Sequence, residues 1–583
     1  MAKNYIGMAN SFHDSAIAIV NSEGKVVFAE ATERYLQNKR AINIAADMFQ
    51  RTAELVTDYC EPEAEIVAAF SWSDRTQEQI VRSVDMGEQS AVQLKRLYGE
   101  VPGFMRQRLM AQNFIFQSQM KMIDQPGHQL EYELSQMGRG GRKKLDKRFY
   151  EHHLVHAATA CFTSPFEEAV CAIVDGYGEE RAFACYIYQD GKLREIEEAK
   201  KGDWGSLGFF YTYVCEACGF GQLTGEEWKV MGLAPYGKLD EEFYGLLREL
   251  IRVNGLNIEF CPEPRLTQIM QKLHAMRRKK GEPVISAANL AFAGQKVFTE
   301  VLFAYLRNLY GKGLSDNLVL GGGCALNSAA NGQIIDNTEF KQVYVFSAPA
   351  DDGNAVGAAL LAYYEDNPDA RPTRQFQSPY LGSTMSADDV EHVKKFSGIQ
   401  KMTECHGDAP RRAAELLAQG KIIGWVQGRA EFGPRALGNR SILADPRSSQ
   451  VKEVINARVK FREEFRPFAP SILHEHGAEY FENYQQSPYM ERTLKFRRDV
   501  MDKVPGVVHE DGTGRLQSVT REGNPRYHAL ISHFHELTGV PLVLNTSFNV
   551  MGKPIAHSVE DAIAVFFTSG LDALFIDDLL IEK

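Results

Sequence analysis

Apolar residues alternate with small and polar ones in two stretches of the chain that read alike. Near the start, Tyr5-Ile6-Gly7-Met8-Ala9 predicts a strand and the polar loop Asn10 to Asp14 a turn. Ser15 to Val20 predicts a second strand, Asn21-Ser22-Glu23-Gly24 a second turn, and Lys25 to Ala31 a third strand. The order returns further along: strand at Ala169 to Val174, turn at Asp175-Gly176-Tyr177-Gly178-Glu179, strand at Arg181 to Tyr188, turn at Gln189-Asp190-Gly191, strand at Lys192 to Glu197. Two copies of one unit predict a duplicated domain.

Leu318-Val319-Leu320 reads as a short buried strand running into Gly321-Gly322-Gly323-Cys324-Ala325-Leu326-Asn327 and then a small-residue helix at Ser328-Ala329-Ala330. Glycines there let backbone approach a ligand and present amides at a helix start. A meander of this kind opens each half of the duplicated fold of sugar kinases, actin and heat-shock ATPases, where its first tight turn faces nucleotide phosphates. That likeness concerns the fold and does not by itself fix function. Two prolines and many polar residues at Asp366 to Ser378 place a domain boundary near residue 372. Beyond it a separate α/β unit is expected, with strands at Lys421 to Val426 and Pro541 to Leu544. The pattern Ser558-Val559-Glu560-Asp561 should cap a helix ending near Gly570. Residues 75 to 135 are helix-forming and carry no readable chemistry.

At 583 residues, with 44% hydrophobic and 24% charged positions, the chain is long enough for two large domains and is not a disordered one. Its formal charge of −11 opposes a diffuse electrostatic affinity for nucleic acid. The basic run Arg139 to Arg148 goes against that trend and reads as a solvated loop leading into a helix. No apolar run reaches membrane-spanning length and the first residues lead straight into a strand, so a cytoplasmic, membrane-free enzyme is expected. The nine cysteines sit mostly singly in apolar stretches, as reduced buried thiols do; Cys215 and Cys218 form the one close pair.

His152 and His156, four apart on a helical segment, project from one face with a spacing that suits one metal ion, while His153 points about 100° away. The acidic loop Ala350-Asp351-Asp352-Gly353 supplies a carboxylate, Asp351 first and Asp352 as the fallback, although helix capping would account for one aspartate. Two histidines and a carboxylate with open positions suit a catalytic divalent metal such as iron(II), zinc or manganese. His13, in the loop after the first strand, is of a residue type suited to general-base work on an acceptor hydroxyl, and a turn-bonding role fits its position equally. The C-terminal unit interleaves cations with Phe, Leu, Gly and Pro in Gly433-Pro434-Arg435 to Ser441 and Lys460-Phe461-Arg462 to Pro470. That pattern points to an enclosed phosphate or carboxylate ligand. Leu544-Asn545-Thr546-Ser547 ends a strand, where α/β sheets bind ligands.

Taken together these segments resemble the NodU/CmcH carbamoyltransferase family over nearly the whole length. The carrying motifs are His13-Asp14-Ser15-Ala16, Lys39 after Glu33-Arg34, HHLVHAA at 152–158, GEEWKVMGLAPYGK at 225–238, GGGCALN at 321–327 and DDGNAVGAA at 351–359. They continue with EFGPRALGNRSILADP at 431–446, FRPFAPSIL at 465–473 and NTSFN at 545–549. Trp228 replaces an expected Tyr, and Arg40 an expected His.

The resemblance implies an N-terminal domain of the sugar-kinase and actin type (1–372), similar to the threonylcarbamoyl-transfer subunit of tRNA-modifying complexes, and a YrdC-like α/β domain (373–583). In the latter, carbamoyl phosphate would be cleaved and the carbamate adenylated by ATP with its magnesium. Arg435, Lys460, Arg466, Arg515, Asn545 and Ser547 match its ligand positions, and Lys39 joins the catalytic set. The carbamoyl adenylate would then lie with its adenosine near Gly321, Gly322, Gly323 and Asn327 and its phosphate near one divalent metal, iron(II) foremost, on His152, His156 and Asp351. His13 would assist attack by the acceptor hydroxyl. The implied partners are carbamoyl phosphate and a hydroxylated small molecule, with a homodimer as one open assembly. A tRNA-modifying enzyme fits the acidic charge poorly. A hydrogenase-maturation enzyme would need a doubled Cys-x-x-Cys segment that is missing, and a non-catalytic nucleotide-binding protein would leave the polar motifs without a role.

Overall fold

In the computed structural model the first apolar stretch forms β1 (Lys3–Ala9), β2 (Ala16–Val20) and β3 (Val26–Ala31), paired antiparallel in chain order. β4 (Glu65–Phe70) adds parallel to the other edge of β1, and β5 (Asp146–Phe149) adds parallel to β4. The helix α1 (Gly103–Met122) belongs to the connection between β4 and β5. The structure describes residues 2–583 apart from 82–91, 93–94, 97–102, 140–144, 197–203 and 222–223. Half of the basic run at 139–148, and part of the 75–135 stretch, therefore lie outside the described residues. The described end of that run enters β5 rather than a helix.

The second stretch repeats the first. After α2 (His152–Phe162) come β6 (Glu168–Gly178), β7 (Arg181–Gln189) and β8 (Lys192–Glu195), again antiparallel. β9 (Asn317–Gly321) adds parallel to β6, and β10 (Gln342–Val345) parallel to β9. The two sheets, β3-β2-β1-β4-β5 and β8-β7-β6-β9-β10, thus have one order and one set of pairing senses. One boundary differs from expectation. Residues 175–178, expected as a turn, continue β6 through an irregularity after Val174, and the reversal falls at Glu179 (φ 53) and Glu180.

Small residues let helices close on these sheets. α3 (Asn354–Asp366) lies against β1 at Gly7, where a Cβ would stand 1.8 Å from the Ala355 carbonyl oxygen. Gly357 of α3 meets α2 as closely, a Cβ there falling 2.3 Å from Thr159 Oγ1 and from the Val155 carbonyl oxygen. Any side chain at either glycine would force the layers apart.

The chain divides into two units. The first is Met1–Thr32, Arg40–Leu326 and Ile334–Gln377; the second is Ser378–Lys583 with the short segments Glu33–Lys39 and Asn327–Gln333. The second unit carries one mixed sheet of β11 (Met402–Glu404), β12 (Ile423–Val426), β13 (Arg440–Ala444), β14 (Ala469–Leu473), β15 (Arg492–Lys495), β16 (Thr513–Val519), β17 (Leu542–Ser547), β18 (Ala573–Ile576) and β19 (Leu579–Glu582). Its strand order is β11-β19-β18-β12-β13-β17-β14-β16-β15. Trp425, Phe534, Phe566 and Phe575 fill its core beneath α4 (Ala409–Ala418), α5 (Pro525–Thr538) and α6 (Val559–Thr568). The predicted cap of α6 forms: Ser558 Oγ accepts from Asp561 N at 3.2 Å and Asp561 Oδ2 accepts from Ser558 N at 3.0 Å. Among the described residues no helix is long and apolar enough to cross a membrane.

Candidate functional site

In the first unit the start of α2, the turn before α3 and the far part of β6 bring four side chains to one point. Glu151 caps α2 through Leu154 N (2.7 Å) and faces His153 Nδ1 at 3.2 Å, which turns His153 away from its two neighbours. His152 and His156, one helical turn apart, face each other with their Nε2 atoms 3.2 Å apart. Asp351 is brought in by the close packing of α2 and α3 and by Thr159 Oγ1, which donates to the Gly353 carbonyl at 3.0 Å. Asp351 Oδ1 stands 3.3 Å from His156 Nε2 and 3.7 Å from His152 Nε2. Asp175 Oδ2, from β6, stands 3.4 and 3.9 Å from His152 Nε2 and His156 Nε2. Asp352 stays outside this group, its Oδ1 accepting from Gly353 N at 3.0 Å.

Each of the four donors is buried, and their ligand atoms lie within 4.8 Å of one another. Donors about 2.0–2.2 Å from one metal stand about 3–3.5 Å from each other, so this spacing fits a single divalent ion. The electrostatics agree. Two imidazole nitrogens face to face cannot both donate, and a cation between them removes the conflict. Burial alone would raise the Asp175 carboxyl, but its hydrogen bond to His152 and the charges of His156 and His152 hold it well below the usual carboxylate range. Asp351 is likewise held down against burial by His156 and His152. His152 would be lowered by burial, and the two aspartates instead push it up to about 9. Two imidazoles and two carboxylates in a buried site make a borderline donor set open to iron(II), zinc or manganese.

The surroundings fix this geometry. Trp72 stacks on His152 with ring centroids 4.2 Å apart, His152 N donates to Glu179 Oε1 at 3.1 Å, and a Cβ at Gly178 would stand 2.2 Å from the His152 ring. Gly323 N donates to Asp175 Oδ1 at 2.7 Å. The glycines 321 and 322 close against β6, where Cβ atoms would meet Ile173 Cδ1 at 2.9 Å and the Val174 carbonyl at 2.4 Å. Their absent side chains therefore seat Asp175. His13 reaches the edge of the cluster, its Nδ1 2.9 Å from Asp14 Oδ2 and 4.0 Å from Asp351 Oδ2. Asp14 also receives Arg40 Nη2 at 3.0 Å. Burial would raise the Asp14 carboxyl, but Arg40 and His13 hold it far below its ordinary value.

The second unit gathers cations instead. Lys460, at the end of a π-helical turn (Ile455–Lys460), is 2% exposed and donates to the Ser547 carbonyl, to Ser547 Oγ (3.2 Å), to the Asn549 carbonyl (3.0 Å) and to Asn549 Oδ1 (2.6 Å). Burial first, then the charges of Arg462, Lys39 and Arg466, push its pKa well below the ordinary lysine value. Arg515 is lowered by burial and by Arg435 and Arg462. Burial pushes Arg435 down to about 10, and burial with Arg466 pushes Arg462 to about 9. Glu463 pairs with Arg466 at 2.5 Å. Six cations acting on one another with so little counter-charge suit a polyanionic ligand. Asn545 ties to the loop that carries Arg435: its Nδ2 donates to the Ala436 carbonyl (3.1 Å) and to Ser471 Oγ (3.0 Å). Asn327 caps a short helix, its Oδ1 accepting from Ala330 N at 3.1 Å.

Residues 4–360 match a family model described as carbamoyltransferase N-terminus, and residues 414–583 one described as carbamoyltransferase C-terminus. The chain belongs to the carbamoyltransferase family. This carbamoyltransferase is 38% identical over 447 residues to nodulation protein NolNO of Sinorhizobium fredii, spanning 75% of its own length and 64% of that protein. Over 441 residues it is 36% identical to nodulation protein NolO of Bradyrhizobium diazoefficiens, covering 74% and 78%. To nodulation protein U of Sinorhizobium fredii it is 26% identical over 574 residues, 94% of each chain. It is an enzyme of the NodU/CmcH type.

The carbamoyltransferase therefore has His152, His156 and Asp351 together and His13 beside them, while Lys39, Arg435, Lys460, Arg462, Arg466 and Arg515 act on one another in the second unit. Gly321 to Gly323 belong to the first unit and Asn327 to the second. Sequence reasoning missed Asp175, which it assigned to a turn. The repeat held the signal: β6–β7 is the counterpart of β1–β2, so a carboxylate ending the apolar run Ala169 to Val174 occupies the place that His13-Asp14 occupies in the first copy. The pair Cys215 and Cys218 is buried and free, with Cys218 pushed up to about 12 by burial, which fits unreactive core thiols.

Proposed function

We propose that this carbamoyltransferase works in two chemical stages divided between its two domains, residues 1–372 of the sugar-kinase and actin type and residues 373–583 of the YrdC type. In the C-terminal domain water hydrolyses carbamoyl phosphate to carbamate and inorganic phosphate, and a carbamate oxygen then attacks the α-phosphate of magnesium-bound ATP, forming carbamoyl adenylate and releasing pyrophosphate. Arg435, Lys460, Arg466 and Arg515, with Lys39, hold the phosphates and offset the charge that grows on the leaving pyrophosphate. Ser547 and Asn549 orient the Lys460 ammonium through the bonds they accept from it. Asn545 keeps the Arg435 loop in place.

In the N-terminal domain the carbamoyl group passes from the adenylate to a hydroxyl of a small-molecule acceptor, and AMP leaves. His152, His156, Asp175 and Asp351 would hold one divalent cation, iron(II) foremost with zinc or manganese as alternatives, and that ion would supply Lewis-acid stabilisation of the leaving phosphate. His13 takes the proton from the acceptor hydroxyl, with Asp14 orienting its imidazole. Gly321, Gly322 and Gly323 flank the adenosine.

The observation that supports this reading best is the separation of donor types: imidazoles and carboxylates meet in the first unit, and cations with little counter-charge meet in the second. A metal and a polyanion call for different chemistry. The test supplies ATP and carbamoyl phosphate with a panel of hydroxylated small molecules. Pyrophosphate release that requires carbamoyl phosphate, and an acceptor that gains one carbamoyl group by mass spectrometry, are the expected results. Pyrophosphate release independent of carbamoyl phosphate would refute the first stage.

A further inference from the structure

The loop that carries His13 is held from outside its own sheet by one side chain of α1. Gln119, 4% exposed, accepts from Phe12 N through Oε1 at 2.9 Å and donates from Nε2 to the Asn10 carbonyl at 2.9 Å. A carboxamide presents a donor and an acceptor side by side, as a peptide group does. Residues 10 and 12 offer it a carbonyl and an amide, so Gln119 completes the pairing that a neighbouring strand would give. Both bonds are buried, and a backbone amide or carbonyl left there without a partner would have to move to find one.

The rest of the loop is tied elsewhere. Asp14 N donates to the Arg40 carbonyl at 2.8 Å, Asn43 N to the Phe12 carbonyl at 2.8 Å, and Trp72 Nε1 to Ser11 Oγ at 3.3 Å. Trp72 is the ring that stacks on His152, so the loop and the four-donor cluster share a support. The Asn10 carbonyl and the Phe12 amide come just before His13 in the chain, and Gln119 holds both. α1 reaches them because Ser118, Gln119 and Met122 form its buried edge.

We propose that Gln119 is a positioning residue for His13, setting the direction in which the imidazole meets the acceptor hydroxyl. The inference rests on the reading of His13 as the base in the transfer stage. It gives the otherwise unreadable 75–135 stretch a role, since α1 belongs to the transfer site through one carboxamide. Gln119→Met keeps length and volume and removes both bonds. Gln119→Glu keeps an oxygen acceptor for Phe12 N and loses the donor to the Asn10 carbonyl.

The test follows a single turnover of the metal-loaded full chain with ATP and carbamoyl phosphate, water standing in for the acceptor. Pyrophosphate reports adenylation and AMP reports transfer. Gln119→Met should leave pyrophosphate formation and metal content at wild-type levels and slow AMP release about 10- to 100-fold, the usual cost of a lost orienting partner. Gln119→Glu should fall between Met and wild type, and it replaces Gln119→Met where that variant does not fold. The deciding measurement is the double variant with His13→Asn. Its AMP release should be no slower than that of His13→Asn alone, because Gln119 has nothing left to position. Losses that multiply, or AMP release in Gln119→Met at the wild-type rate, overturn the proposal while His13 stands. Wild-type AMP release in His13→Asn overturns both, and is told apart by that single variant.

Discussion

The two units solve opposite electrostatic problems with the same means, burial. In the first, four groups that would lose protons or share them converge: His152 is pushed up to about 9 while Asp175 and Asp351 are held down. Each carboxylate has an imidazole within 4 Å, so the site balances itself and a cation can replace the shared protons. In the second, burial acts on cations that face other cations, and Lys460, Arg515, Arg435 and Arg462 are all lowered. That site does not balance itself. A cluster of donors prearranged for a metal is stable with protons in its place, whereas a cluster of like charges is relieved by giving up a proton or by the anion it awaits.

The largest expected effect breaks the first half of this contrast. His156→Ala together with Asp351→Ala should take bound metal from one ion per chain to almost none and slow transfer at least about 10³-fold, with pyrophosphate release unchanged. Asp175→Asn should also lose metal, while Asp352→Asn should not, because its carboxylate serves the Gly353 amide. Full metal occupancy in the double variant would remove the assignment. The next effect breaks the other half. Lys460→Ala and Arg435→Ala should each cut carbamoyl-phosphate-dependent pyrophosphate release by about 10²- to 10³-fold and leave metal content intact. Wild-type rates in both would mean that the cation cluster is not where adenylation occurs.

Much of this was legible in sequence because it depends on local spacing. The meanders announce themselves by alternation, so the three antiparallel strands of each sheet and the duplication could be drawn in advance, whereas β4, β5 and β10 are too short and too plain in pattern to be read. His152 and His156 need only the 3.6-residue period, and the Ser558 cap needs only the short run from Ser558 to Asp561. What sequence could not give depends on approach through space. Asp175 joins the histidines because β6 continues through an irregularity where a turn-like string Gly176-Tyr177-Gly178 stands, and because Gly323, in the turn after β9, offers it an amide from far along the chain. Gln119 carries no motif, since its value lies in which backbone it meets. Asn545, expected at a ligand from its place at a strand end, also has neighbours that no motif shows, since its Nδ2 donates to the Ala436 carbonyl and to Ser471 Oγ. The choice between Asp351 and Asp352 likewise waited for the α2–α3 packing to turn one carboxylate inward.

The smallest expected effect sharpens the contrast, because it reads the imbalance of the second unit directly. The four oxygens around Lys460 Nζ favour its ammonium form, but burial and the neighbouring Arg462, Lys39 and Arg466 outweigh them and lower its pKa. Arg435, at about 10, and Arg462, at about 9, stay charged near neutral pH, and an ammonium gives up its proton more readily than a guanidinium, so Lys460 is the group whose protonation responds. A bound polyanion adds negative charge beside it and raises its pKa again. In the window between the lowered value of the free protein and the higher value of the complex, binding must therefore take up a proton, and affinity must rise as pH falls. Below that window the lysine is already protonated and the dependence ends. The slope cannot exceed about tenfold per pH unit for one proton. Calorimetric titration with inorganic pyrophosphate in buffers of different ionisation enthalpy should show wild type taking up as much as one proton more than Lys460→Met, the ligand's own proton exchange being common to both. A binding enthalpy that follows the buffer equally in wild type and Lys460→Met would assign the proton to another group. Independence from buffer across the pH range would mean that the cation cluster is already neutralised within the protein, and the contrast between the two units would fall with it.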